Sequence, residues 1–399
     1  MRSGAGSSRL RVALHVGLLV LGVGAFALWL GYVWIERHDL TVWDKDWYCF
    51  YSAGKTFLAE GASQTYVRPC NENYFWMYPP YMLYPWAAAS RLAPLSVYLL
   101  VMAGVAAATA LGLGFLRSTF REVASIDTIV MFVVGSAGLL ATLVVGQHSA
   151  LLLLGAAGAL WAMRSDRDLA AGAFLGLMGI KPNWAAVFVL WLLVTRRWRA
   201  LAGMAGVGVL MILSTLPMGF DAWHTYLTLV PDHVRTLLNS DVSRMTYPAH
   251  KLITVEAFAR STAGALSPTA GTVAWLTLDV AVLSAALFVW LRSTSVSDQI
   301  AVAVLAAIAA NVYAEFYEAL VLAVPAAVWW ARRAGAPRGP WLVAGGAALT
   351  VWLTQWVWAL ASPGPGWPSV VGGLLTVWVV AEAVRTHRSS VNEGSVVGA

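Results

Sequence analysis

Six short stretches carry side chains able to do chemistry. The first is Asp44-Lys45-Asp46, which opens the segment Trp47 to Leu58. Within it Trp47, Phe50, Tyr51, Gly54, Phe57 and Leu58 recur at three- and four-residue spacing, one face of an amphipathic helix. Asp46 therefore stands at a helix N-terminus, where a carboxylate suits a general base acting on a hydroxyl. The same residue type at the same place also serves as an N-cap, and the two roles coexist. Asp44 is a second candidate, for substrate binding. The next stretch is Lys181-Pro182, which follows the glycine-rich apolar run Ala171 to Ile180. A lysine at the centre of a membrane helix costs about 2.5–3.5 kcal/mol, so such residues usually face a cavity. Lys181 is a candidate partner for a lipid phosphate; snorkelling to the interface is the plainer alternative.

Four further sets are less specific. Tyr78-Pro79-Pro80-Tyr81 fixes an extended approach to the next helix, since two prolines exclude helical geometry just before them. Gly146-Gln147-His148-Ser149 is a tight polar hairpin between apolar runs; Gln147 and His148 are candidates for substrate binding, against the plain reading of a solvated turn. His233, Arg235, Arg244, Tyr247 and His250 mix cations with an aromatic, a mixture suited to phosphate, although a solvated loop has the same look. Asn311 to Glu318 brings two acids together at the junction of two spans. There Glu318, the deeper, is read as binding substrate hydroxyls or as an interhelical hydrogen-bond partner. Asp279, alone in mid-span, reads as a helix–helix contact.

The elements that must position these residues follow from composition. Of 399 residues, 59% are hydrophobic and 12% are charged, about half the charge of an ordinary soluble domain. That excludes a soluble fold and a disordered chain, and disfavours a transmembrane β-barrel, which keeps a polar lumen. What remains is an all-α, polytopic transmembrane bundle of about ten to twelve spans at roughly 20 residues each. Spans are expected near 12–34, 94–117, 127–145, 147–163, 168–180, 182–195, 200–217, 270–291, 298–312, 316–332, 340–361 and 367–385. Several are short, as expected of helices that stop at a cavity. Two large polar loops interrupt them, about 35–93 and 219–269, and carry short amphipathic helices. The whole chain, 1–399, reads as a single integral-membrane domain.

The net charge is +6, which the positive-inside rule explains better than nucleic-acid binding does. Placing the N-terminus inside puts most of the 26 basic residues on the inner side and most of the 20 acids outside. Both termini are then cytoplasmic, and both polar loops face the exterior or periplasm. Cys49 and Cys70, the two cysteines, share the first outer loop. That compartment permits a disulfide, and two unpaired thiols are the alternative. The sequence has no Walker A, dinucleotide-fold glycine, HExxH or CxxC pattern. An activated donor would therefore come from the membrane itself.

The order Asp46…Tyr51-Ser52-Ala53-Gly54…Gly61…Tyr66, Tyr78-Pro79-Pro80, Gly146-Gln147, Ala171-Gly172…Gly176…Lys181-Pro182, Tyr317-Glu318…Pro325 resembles glycosyltransferase family 87 over roughly residues 40–330. Those are polytopic GT-C enzymes that use polyprenyl-phosphate sugars. The resemblance implies a GT-C-type bundle in a bacterial cytoplasmic membrane, with the active site facing the periplasm or exterior. It implies an inverting transfer of a hexose, often mannose, from a polyprenyl-phosphate donor to a lipid or glycan acceptor. The acidic residue of the first outer loop is the expected base, and Asp46 matches it. The late outer helix departs from the Ser-Pro…His-His pattern of mycobacterial members, with Asn311…Phe316-Tyr317-Glu318 in its place. An anionic prenyl phosphate leaving group needs cationic partners, Lys181 first and Arg244 second. Neither a metal nor another cofactor is expected, and membrane lipids are the remaining partners. Two rivals stand beside this reading. One is a transporter or lipid flippase, and the other is a polysaccharide polymerase or ligase that uses a lipid-diphosphate glycan.

Overall fold

The computed structural model describes residues 46–70, 75–123, 126–239, 252–311, 313–332 and 369–397, together with scattered positions within 12–27. Among the described residues the chain is all-α, with two isolated β-bridges, Pro69 to Phe75 and Leu252 to Glu315. The first polar loop folds into α1 (Asp46–Glu60), α2 (Ala62–Val67), a 3-10 turn (Pro80–Met82) and α3 (Leu83–Ala89). Then come α4 (Pro94–Thr119), α5 (Ile126–Val134), α6 (Ala137–Val145), α7 (Ser149–Arg164) and α8 (Asp168–Gly176). A 3-10 turn (Leu177–Ile180) leads to α9 (Pro182–Val194) and α10 (Trp198–Ser214). The second polar loop contributes α11 (Phe220–Asn239) and α12 (Val255–Thr262). The chain continues through α13 (Pro268–Arg292), α14 (Val296–Ala309), a 3-10 helix (Phe316–Leu322), α15 (Ala323–Arg332) and α16 (Ser369–Val397).

Four of these are long and apolar enough to cross a membrane: α4, α10 with its extension to Met218, α13, and Val370–His387 within α16. The expected span at 127–145 is instead a broken pair, α5 and α6, bent by 45°. The break has a local cause, because Ser136 accepts a hydrogen bond from the Leu139 N–H and so starts a new helix at α6. Four shorter apolar stretches, α7, Asp168–Ile180, α9 and α14, fall below the length of a full span. The expected spans at 12–34 and 340–361 lie largely or wholly outside the described residues.

Helix α14 lies in the core of the bundle. Every residue from Asp298 to Ala309 is buried, as befits a helix apolar all round. Its 14 residues extend about 21 Å at 1.5 Å per residue, short of a 30 Å hydrocarbon core. At its start the carboxylate of Asp298 meets Arg332 at 3.1 Å and also pairs with Arg385. Glu382 joins them, 3.2 Å from Arg332 and 2.8 Å from Arg385, which ties α14, α15 and α16 together. At its other end the chain leaves the helix at Asn311 and re-forms as the 3-10 helix, where Glu318 and Tyr317 are buried. The expected span at 316–332 thus begins as a 3-10 segment.

Two glycines set close approaches. Gly172 of α8 has no room for a Cβ, which would strike the Ala200 carbonyl of α10, so the helices beneath Lys181 pack backbone to backbone. Gly146 ends α6 with φ of +73°, and a Cβ there would also lie 2.5 Å from Cβ of Trp47.

Candidate active site

The first outer loop folds around a knot of aromatic rings. Of the predicted apolar face of α1, Trp47, Phe50, Tyr51 and Gly54 are buried, whereas Leu58 is 47% exposed. The ring of Phe50 meets Trp76 at 5.7 Å, Tyr78 at 5.1 Å and Trp86 at 4.9 Å. A disulfide joins Cys49 to Cys70. It decides between the two possibilities left by the sequence and ties α1 to the end of α2, next to the bridge of Pro69 to Phe75. Pro79 and Pro80 turn the chain into α3, and the Tyr66 hydroxyl donates to the Tyr78 carbonyl at 2.9 Å.

Between this knot and the bundle lies a cavity of about 450 Å³, within the range of small-molecule sites. Asp46, Tyr78, Gln147, Lys181, Asn183 and Tyr317 are among its walls. Asp46 is the first residue of α1, and its Oδ2 accepts a hydrogen bond from Nε2 of Gln147. Gln147 is held in turn: its Oε1 accepts from the Tyr78 hydroxyl at 2.9 Å and from the His148 main-chain N–H at 3.2 Å. Burial pushes the Tyr78 phenol far above its ordinary range, against the opposing pull of Lys181, so it keeps its proton and remains a donor.

Lys181 caps α9, whose first turn is started by Pro182. Its ammonium pairs with Oε1 of Glu318 and lies 5.4 Å from the centre of the Tyr317 ring. The pair is buried, with 8% of the lysine side chain and none of the glutamate exposed. Glu318 stands behind the lysine, not on the cavity wall. Two residues on, Asn183 donates to Oδ1 of Asn311 at 2.7 Å, which also accepts from the Tyr313 main-chain N–H at 2.9 Å.

His148 also stands behind the wall. Its ring packs among Phe50, Tyr78 and Trp86, with centroid distances of 4.9, 5.1 and 5.9 Å. Its Nδ1 is buried without a hydrogen-bond partner among the described residues. Burial first, and Lys181 second, push its pKa down to about 3. In this geometry the ring packs behind the wall, away from the cavity lining.

The second outer loop contributes something the sequence reading missed. Tyr226, Val230, Pro231 and Val234 of α11 close the cavity with an apolar wall. Their spacing of four, five and eight residues is the available signal. The cations expected there do other things. Arg235 is exposed and pairs with Asp232 at 2.9 Å, and His233 stacks on Phe75 at 4.1 Å. Asp44, Arg244, Tyr247 and His250 lie outside the described residues.

The arrangement joins one carboxylate at a helix N-terminus, one buried ammonium and a set of hydrogen-bonding groups in a largely apolar cavity. It is equipped to take a proton from one group and to stabilise negative charge on another. No curated protein matches the chain. The family model of glycosyltransferase family 87 matches residues 76–314, more than half the length. That stretch contains Tyr78, Gln147, His148, Lys181 and the α11 wall, with Asp46 and Glu318 outside its two ends. By that match the chain belongs to glycosyltransferase family 87, and it is a membrane glycosyltransferase.

Proposed function

We propose that the chain transfers a hexose, mannose first among the alternatives, from a polyprenyl-phosphate donor to a lipid or glycan acceptor with inversion. Asp46 takes the proton of the acceptor hydroxyl. The hydroxyl oxygen then attacks the anomeric carbon as the bond from that carbon to the phosphate oxygen breaks. The prenyl phosphate leaves with the electron pair, and the charge it gains faces Lys181. One displacement uses one base, unlike the carboxylate pair of a glycosidase.

The observation that carries this reading is the placement of Asp46 and Lys181 on the walls of one cavity. Lys181 is the one lysine or arginine on that wall among the described residues, and Glu318 already pairs with it. The Cys49–Cys70 disulfide supports a cavity open to the periplasm or exterior of a bacterial cytoplasmic membrane, where disulfides persist.

The test is transfer of labelled hexose from a synthetic polyprenyl-phosphate mannose to a bacterial membrane extract, using purified protein in vesicles. The wild type yields labelled lipid or glycan, and Asp46→Asn lowers the rate by about 10²–10⁴ while the protein still inserts. A wild-type rate in Asp46→Asn removes the base, and transfer from a lipid-diphosphate sugar alone removes the donor class.

A further inference from the structure

The geometry points to Gln147 as a positioning residue that holds the Asp46 carboxylate, with Tyr78 fixing the glutamine in turn. The inference rests on the reading of Asp46 as the base and adds what keeps that base in place.

The direction of the relay is forced by the donors around it. The His148 main-chain N–H can only donate, and it meets the Gln147 side chain at 3.2 Å. That end of the amide must therefore be the carbonyl oxygen, which also takes the Tyr78 hydroxyl at 2.9 Å. The other end is then the NH₂ group, and it points at Oδ2 of Asp46. A flipped amide would set NH₂ against the His148 N–H and oxygen against a carboxylate, two repulsions for two hydrogen bonds lost.

Register is set independently by the main chain. Gly146, next to Gln147, turns at positive φ with no space for a Cβ against Trp47, the residue after Asp46. The glutamine and the aspartate are thus brought together by the close approach of the Gly146 backbone to the Trp47 side chain, and not by their own side-chain reach alone. Gln147 is 3% exposed, so water competes little for its amide. An N–H donated to a carboxylate favours the charged form and fixes its rotation, and both serve a base that must be deprotonated and aimed. The titratable groups in electrostatic reach of Asp46 are Tyr78 and Tyr317; Lys181 lines the same cavity with Glu318 paired behind it, and His148 packs against Tyr78.

The experiment is a pH titration of purified protein in detergent by difference infrared spectroscopy. The Asp46 carboxylate band is isolated by subtracting spectra of Asp46→Asn. In Gln147→Leu, paired with its own Asp46→Asn subtraction, the midpoint should move up by about one pH unit, the effect of one lost charge-assisted hydrogen bond. Tyr78→Phe, which keeps the ring and removes the hydroxyl, should move it the same way by less and remains informative if Gln147→Leu fails to fold. In transfer assays both variants should lower kcat, with the KM for polyprenyl-phosphate mannose near the wild-type value. A midpoint unmoved in both variants overturns the inference. Full transfer activity in Asp46→Asn would instead remove the base, while the infrared midpoint still decides what Gln147 does.

Discussion

Breaking the buried pair of Lys181 and Glu318 separates stability from chemistry. Glu318→Leu leaves an ammonium that is 8% exposed with its paired carboxylate gone. Removing one partner of a buried pair typically costs about 3–5 kcal/mol, because the remaining charge stays desolvated. With an unfolding entropy of about 2.1 cal/mol/K per residue, 399 residues turn each kcal/mol into about 1.2 °C, so the Tm should drop by about 4–6 °C. Lys181→Met alone should drop it comparably, by stranding the glutamate. The double variant Lys181→Met/Glu318→Leu replaces the pair by apolar groups of similar volume and should recover most of the loss. Thermal unfolding in detergent, at one scan rate for all four proteins, reads this cycle. Transfer activity is the second readout: the double variant should be folded and inactive, since the charge that faces the leaving phosphate is gone. Additive losses in the double variant would refute the pairing argument. Wild-type transfer by the double variant would refute the role of Lys181 in donor binding.

Two other outcomes follow from the outer loop. Reducing the Cys49–Cys70 disulfide, or replacing both cysteines by alanine, frees a 21-residue separation and should cost about 3 kcal/mol of stability in a chain-entropy treatment. Transfer activity of the Cys49→Ala/Cys70→Ala protein measured against temperature checks it, and an unchanged inactivation temperature contradicts it. The buried His148 predicts acid sensitivity: the unfolded ring takes up a proton near pH 6.5, the folded one only near 3. Its contribution is complete above about pH 6.5 and is lost as the pH falls from there toward 3. The slope of Tm against pH between 6.5 and 4 should therefore flatten in His148→Gln, and an identical slope in both proteins would remove this ring as the cause.

What could be read in advance has a physical pattern. Asp46 and Lys181 stood out because a charge at the edge of a long apolar run is scarce, and desolvation makes it scarce. The buried face of α1 was visible because a period near 3.6 survives in Trp47, Phe50, Tyr51 and Gly54. The identity of each partner is not visible. Gln147 was read as a group for substrate, but in the folded chain its amide is committed to Asp46 and Tyr78. For Glu318 the sequence leaves open substrate hydroxyls or an interhelical hydrogen bond, and in the folded chain it pairs with Lys181. Each such pairing joins segments about a hundred residues apart, and no local pattern encodes it. The break between α5 and α6 does not show in the hydropathy, which is continuous there, although Ser136 marks it. In the second outer loop the cations stand out in the sequence, while its contribution to the cavity lies in the apolar face of α11.

The separation of 137 residues between Lys181 and Glu318 also sets a clock. A chain grows by about 5–20 residues per second, so Lys181 is made roughly 7–27 s before the carboxylate that neutralises it. Through that interval the apolar hairpin of α8 and α9 has to be inserted with an ammonium at its tip and Glu318 not yet synthesised. The backbone-to-backbone packing of α8 on α10, completed within a few seconds at the same pace, is available early and holds the hairpin while the lysine keeps its head in water. The order of synthesis therefore delivers Glu318 to a lysine already in place, when the segment after α14 arrives.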